Sequence, residues 1–225
     1  MKYFNLLGPA SERLWADHNK GSRACVKTPC PVTTEHNRLG GDIGDLYLEV
    51  KHNRRDELMI WAWSVGVHEQ VLEGFEREGF TGYRVKPALV RFRDGSTSNE
   101  YHELIVTGWA GTISPDSGMK LVKSCPGCHH REFSAITNYD KLIDWNQWNG
   151  EDFFRIYPLH RYRLCTERVA AWLRANKVKS FCLEEGFSRR ANDSIISKMG
   201  IVVGELSECL PDDLANVYSK SLGLE

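Results

Sequence analysis

The stretch that decides the fold is residues 152–183, which read DFFRIYPLHRYRLCTERVAAWLRANKVKSFCL. Its first part, Asp152–Tyr157, is rich in aromatic and β-branched residues and predicts a strand. Apolar residues then recur at helical spacing through 166–175, and Thr166 is a suitable N-cap. Residues 178–183 predict a second strand. The C-terminal half is therefore expected to contain a strand–helix–strand unit.

The first half of the chain has mostly strand-like patterns. Four segments predict strands: Leu46–Val50, Glu57–Trp63, Arg84–Phe92 and Tyr101–Thr107. Between the second and third of them, the apolar residues that follow Val67 lie on one face of a short helix. This half is therefore expected to be β-rich with one helix, which makes the whole chain an α+β protein.

Composition changes again at 108–120, where Gly, Ser and Pro are frequent and predict a loop. This loop suggests a β-rich N-terminal region over residues 1–118 and an α+β region over 119–225, joined by a zinc-knuckle-like cysteine site. One compact domain is the alternative.

Pro87 suggests that the strand around it lies at a sheet edge, because proline has no N–H to donate.

Charge and hydropathy limit the function classes. The 225 residues carry 29 Lys and Arg against 30 Asp and Glu, a net charge of −1, which argues against binding nucleic acid through bulk charge. No run approaches the roughly 18 to 20 apolar residues that a membrane span needs, and the N-terminus lacks a signal-peptide pattern. We expect a cytoplasmic protein with no membrane association.

The seven cysteines are the most informative residues for a site. Cys125 and Cys128 have the spacing of a zinc knuckle, with Pro-Gly between them as a tight turn. A structural zinc ion needs four ligands in a tetrahedron, so a second pair is required. Cys25 and Cys30 are expected to provide it, giving one structural zinc site. Reduced thiols at a turn and a redox dithiol are the alternatives.

Histidines provide substitute ligands should one cysteine not bind the ion. His129 and His130 directly follow the knuckle, and His36 lies close to the N-terminal pair. Cys165 and Cys182 fall at apolar positions of regular elements and are expected to be buried core residues.

Motifs of known enzymes are missing from the sequence. The His-x-Glu and Pro-Cys-x-x-Cys order of zinc deaminases is not present, and neither is a zinc-protease helix, a phosphate-binding loop or a nucleophile elbow. We therefore expect a protein that is not an enzyme. A zinc-dependent hydrolase or nuclease remains an alternative. So does a zinc-stabilised nucleic-acid-binding module, for which the support is the basic run Arg84, Lys86, Arg91 and Arg93.

Three segments carry a resemblance to a known family. They are CPGC at 125–128, LIDWNQWNGEDFF at 142–154 and CTERV at 165–169, in that order. In these segments the chain resembles the double-CXXCG motif proteins, a paralogous family described in myxobacteria. The resemblance implies one zinc ion held by the cysteines of two CXXC motifs. Several relatives are immunity proteins encoded beside secreted polymorphic toxins, so it also implies a non-enzymatic inhibitor whose partner is a cognate toxin.

The sequence departs from that family pattern at two positions. His129 stands where the family has glycine after the second motif, and Thr33 stands where the first motif has its second cysteine. Cys25 would then replace the ligand missing at Thr33. The expected function is an immunity protein that binds and neutralises a toxin and is stabilised by zinc.

Overall fold

A computed structural model describes residues 1–8, 24–34, 37–50, 58–61, 64–187, 201–204, 206–208 and 210–223. Within them lie three α-helices: α1 (Glu69–Glu78), α2 (Glu167–Ala175) and α3 (Asp212–Ser221). The strands are β1 (Tyr3–Leu7), β2 (Ala24–Pro29), β3 (Asn37–Ile43), β4 (Leu46–Val50), β5 (Leu58–Trp61), β6 (Ser64–His68), β7 (Tyr83–Phe92), β8 (Thr97–Ser98), β9 (Tyr101–Val106), β10 (Gly108–Thr112), β11 (Leu121–Ser124), β12 (Arg131–Phe133), β13 (Phe153–Tyr157), β14 (Leu164–Thr166), β15 (Cys182–Glu185) and β16 (Ile201–Val203).

Two large sheets carry most of these strands, which confirms the α+β class. One has the order β10-β13-β14-β1-β15, with β10 parallel to β13 and the other neighbours antiparallel. The other has the order β4-β7-β9-β6-β5, with β8 beside β7. Smaller sheets are formed by β11-β12-β16 and by β2-β3. None of the described helices combines the length and apolar character needed to cross a bilayer.

The strand–helix–strand unit is present in the C-terminal half. The predicted strand is β13, whose five residues are all buried, and α2 begins directly after Thr166. The Thr166 hydroxyl does not cap the helix. It donates instead to Oδ1 of Asp152 at 2.9 Å. The second strand begins at Cys182, later than the predicted Val178, because 178–181 still pack as a loop after α2.

The main core joins residues from both halves of the chain. Phe75 of α1 contacts Phe153 of β13 and Trp172 of α2, with ring centroids 5.3 Å apart in each pair. Gly74 allows this approach, because a Cβ there would lie 2.3 Å from Trp172. The predicted boundary at 118/119 therefore crosses a shared core, although the division into two regions itself stays a prediction.

The prediction of a loop over 108–120 is wrong in its first part. Gly108–Thr112 forms β10, which is largely buried and runs parallel to β13. Glycine is required at Gly108 because of a close backbone contact: a Cβ there would lie 2.0 Å from the carbonyl oxygen of Phe153. Gly108 is therefore explained by the tight packing of β10 against β13, and it does not mark a loop.

Pro87 lies in an interior strand, contrary to the edge that its sequence suggests. β7 pairs with β8 and β9 on one side and with β4 on the other. β4 pairs only with residues 88–92, so Pro87 lies just before that stretch. At this position the missing N–H removes no hydrogen bond to β4.

Candidate metal centre

Three buried cysteines form the candidate site: Cys30, Cys125 and Cys128. Their Sγ atoms all lie within 4.8 Å of one another, and those of Cys30 and Cys125 are 3.7 Å apart. Tetrahedral Zn–S bonds of about 2.3 Å would hold neighbouring sulfurs about 3.8 Å apart. The spacing of the thiols therefore fits joint coordination of one metal ion.

A β-hairpin positions two of the three cysteines. β11 and β12 are antiparallel, and Cys125–Cys128 form the turn that joins them. The Cys125 N–H donates to the His130 carbonyl at 2.8 Å, and the His129 N–H donates to the Cys125 carbonyl at 3.0 Å. These bonds close the turn, so both thiols face the same side.

The third cysteine comes from the loop that follows β2. The Val32 N–H donates to Sγ of Cys30 at 3.4 Å, as expected where a backbone loop folds round a thiolate. This loop also packs directly on the hairpin turn: a Cβ at Gly127 would lie 2.4 Å from Cγ2 of Val32. Glycine between the two hairpin cysteines therefore lets the two loops approach.

The pKa values of Cys30 and Cys128 are shifted in opposite directions. Burial raises the pKa of Cys30, but hydrogen bonds from the Val32 and Thr33 amides outweigh burial and bring its pKa below the ordinary value. Burial and the neighbouring thiols raise the pKa of Cys128 to about 11. Cys30 thus ionises more readily than Cys128, and a nearby cation would favour ionisation of both. A thiophilic metal ion such as Zn²⁺ supplies that charge and stabilises the thiolates.

Three of the four predicted ligands, Cys30, Cys125 and Cys128, are brought together. The Cys25 backbone lies in β2, opposite Asp42, and an extended strand runs from it to Pro29. At about 3.3 Å per residue, that strand separates the Cα atoms of Cys25 and Pro29 by about 13 Å. The Cys25 side chain lies outside the described residues, so its role as a ligand stays a prediction, and the extended backbone argues against it.

The alternative ligands have different positions. His129 and His130 are half-buried beside the turn, and their ring nitrogens are not among the ligand atoms that lie within 4.8 Å of one another. His36 lies outside the described residues. Cys165 is fully buried in the main core, as predicted, whereas Cys182 is exposed, so the prediction of a core position for it is wrong.

His129, at the end of the hairpin turn, has an unusual backbone conformation for a residue with a side chain. Its φ is 54°, in the left-handed region that glycine adopts without steric cost. His129 therefore has a side chain on a backbone conformation that suits glycine, and this strain costs about 1 kcal/mol of stability.

Replacing His129 with glycine is expected to stabilise the protein by about 0.5–1 kcal/mol, because the left-handed strain disappears. Zinc content should be unchanged, since the imidazole lies outside the thiol group. Urea unfolding and metal analysis of the purified variant measure both quantities. Loss of zinc in this variant would instead identify His129 as a ligand.

Comparisons with known proteins give no family for the chain. A scan against protein-family models finds no match, and a search of the curated proteins finds none either. The fold and the site together define an α+β protein with a buried three-cysteine centre that could hold a metal ion. Sequence reasoning assigns Gly127 to the turn but misses its second role, the close approach of the loop that contains Val32.

Proposed function

We propose that this chain is an immunity protein that binds a cognate toxin and is stabilised by a structural zinc ion. The observation that carries the structural part is the burial of the centre: Cys30, Cys125 and Cys128 are 8%, 7% and 2% exposed. A catalytic zinc needs a position open to water and substrate, whereas a structural zinc is enclosed. Burial of all three thiols therefore favours a structural ion.

The centre also links two distant segments of the chain, which suits a structural ion. Cys30 and Cys125 are separated by 95 residues in sequence. An ion held between them would fasten the β2 loop to the β11–β12 hairpin, and its binding free energy would become folding free energy.

The toxin partner follows from the resemblance of the segments at 125–128, 142–154 and 165–169. Such inhibitors act by binding, and a few aromatic or arginine anchors supply most of the affinity in protein interfaces. In the producing cell, the complex would block the toxin's active site or its access to substrate.

A zinc-dependent hydrolase or nuclease is the second candidate, because three protein ligands and a water are also the catalytic pattern. Burial of the thiols opposes it. A nucleic-acid-binding module has less support, because Arg84 of the basic run is held by Asp213 in two hydrogen bonds of 2.6 and 2.9 Å.

Co-expression with the product of the neighbouring gene tests the immunity function. We expect that product to stop growth when expressed alone and this chain to restore growth. The two purified proteins should also form a stable complex by size-exclusion chromatography. A toxic neighbour that this chain neither binds nor neutralises would overturn the proposal, as would a neighbour without toxicity.

A further inference from the structure

The hairpin that carries Cys125 and Cys128 has an uncovered edge strand, β11. Within the described part of the chain, β11 pairs with β12 alone, at the end of the sheet β11-β12-β16. All four of its residues, 121–124, are exposed. An edge strand directs backbone N–H and C=O groups outward, where a further extended segment can bind them. β11 therefore offers backbone groups to a binding partner.

Exposed aliphatic side chains are concentrated on this hairpin. Leu121, Val122 and Val32 are each more than half exposed, and Val32 lies against Gly127 at the hairpin tip. They are three of the seven large apolar residues that are exposed in the described part of the chain. None of the seven is aromatic, whereas proteins that bind single-stranded nucleic acid stack bases on exposed aromatic rings. This surface therefore suits a protein segment better than a nucleic acid.

The hairpin is positively charged. Residues 120–131 include Lys120, Lys123 and Arg131 and contain no acidic residue. Lys120 is exposed and belongs to none of the salt bridges among the described residues. Lys123 pairs with Glu132 at 3.8 Å, but both side chains are exposed, and such surface pairs contribute little to stability. Lys123 can therefore exchange Glu132 for a carboxylate of a partner.

Charge also decides against a second copy of this chain as the occupant of the edge. Two β11 strands paired antiparallel about a two-fold axis would bring Lys120 and Lys123 of both copies into one ribbon, and like charges across a strand pair are destabilising. An acidic strand has no such penalty. The register shift between Leu121 and Lys123 bulges β11, so a ladder on this edge can only be short.

We propose that β11 binds a short, extended, acidic segment of the protein partner, which adds a strand to this sheet. The segment would pair with the outward backbone groups of β11. Its apolar side chains would contact Leu121 and Val122, and its carboxylates would meet Lys120 and Lys123. The identity of that partner as a toxin rests on the proposed function. The binding of an acidic strand does not, because it depends on this chain alone.

Titration with synthetic peptides tests these contacts. The probe is a blocked peptide of alternating glutamate and valine, about six residues long, the length of a typical strand. One control peptide has glutamine in place of glutamate, and the other has methylated backbone nitrogens. We expect saturable shifts of the amide NMR signals of residues 121–124 with the probe, with a dissociation constant of about 1 mM. Each control peptide should bind about tenfold more weakly, since one lacks the charges and the other lacks N–H donors.

Matched variants separate the contacts of β11 from general effects. Lys123→Gln is expected to weaken probe binding about fivefold, whereas Lys141→Gln, at an exposed lysine outside the hairpin, should leave it unchanged. Val122→Thr keeps the β-branched shape but loses apolar contact, so it should weaken binding about threefold. Val217→Thr, at a similarly exposed position of α3, is its control. Unchanged amide signals elsewhere show that each variant is folded.

The absence of saturable shifts would overturn the inference, and so would equal binding of either control peptide or equal binding by Lys123→Gln. Larger shifts of the same amides with a single-stranded oligonucleotide would assign the surface to nucleic acid instead. Shifts of residues 121–124 on raising the protein concentration alone would reveal self-pairing and contradict the inference. No toxin is present in the titration, so failure of the strand site and failure of the immunity function are distinguishable.

Discussion

Replacing Cys128 with serine is expected to abolish stoichiometric zinc binding and to cause the largest loss of stability of any single substitution at the centre. Cys128 is the most buried of the three thiols, and a serine hydroxyl is a poor ligand for zinc. With free zinc about a thousandfold above the dissociation constant, the bound ion contributes about 4 kcal/mol, which the variant loses. Metal analysis and urea unfolding with and without a chelator measure both effects.

Cys182→Ser is the matched control, because Cys182 is exposed and lies in β15, away from the centre. This variant should keep its zinc and should be destabilised by chelator as much as the unaltered protein. The Cys128→Ser variant, by contrast, should respond little to chelator. A Cys128→Ser variant that retains one equivalent of zinc would show that the three thiols are not a joint site.

Replacing Gly108 with alanine is expected to destabilise the protein by about 3 kcal/mol, because the new methyl group would overlap a backbone atom. The built Cβ lies 2.0 Å from the Phe153 carbonyl oxygen and 2.9 Å from Oε2 of Glu151. The Gly108 N–H also donates to the Gly82 carbonyl at 3.2 Å. To relieve the overlap, β10 would have to move away from β13, or the hydrogen bond between Gly108 and Gly82 would break.

Gly79→Ala provides the comparison for the Gly108 variant. Gly79 ends α1 with φ 63°, and no atom would lie within 4 Å of a Cβ there. Its substitution should cost about 1 kcal/mol from backbone strain alone. Urea unfolding of both variants ranks the two costs. A smaller loss for Gly108→Ala than for Gly79→Ala would contradict the close contact between β10 and β13.

Local patterns predict the elements whose residues decide their own conformation. α1 shows this most directly: its apolar spacing, its terminal Gly79 and its neighbouring strands all follow from nearby sequence. The Cys125–Cys128 turn is equally local, since Pro-Gly closes it. These features depend on contacts within a few residues, so a single sequence contains them.

Long-range contacts decide the features that sequence patterns missed. Gly108 looks like a loop residue, yet its lack of a side chain serves a contact with Phe153, 45 residues later in the printed sequence. Pro87 looks like an edge residue, yet β7 has partners on both sides. Pairing of strands and the direction of a loop depend on partners that spacing alone does not identify.

The position of β1 has a consequence for how the protein is made. Asn5 pairs with Leu164 on one side and with Glu184 on the other, so the first strand lies between two of the later ones. During synthesis, this strand leaves the ribosome long before either neighbour exists. Until then its apolar residues Phe4 and Leu6 lack the contacts that bury them in the folded protein. The five-stranded sheet can therefore form only late in translation.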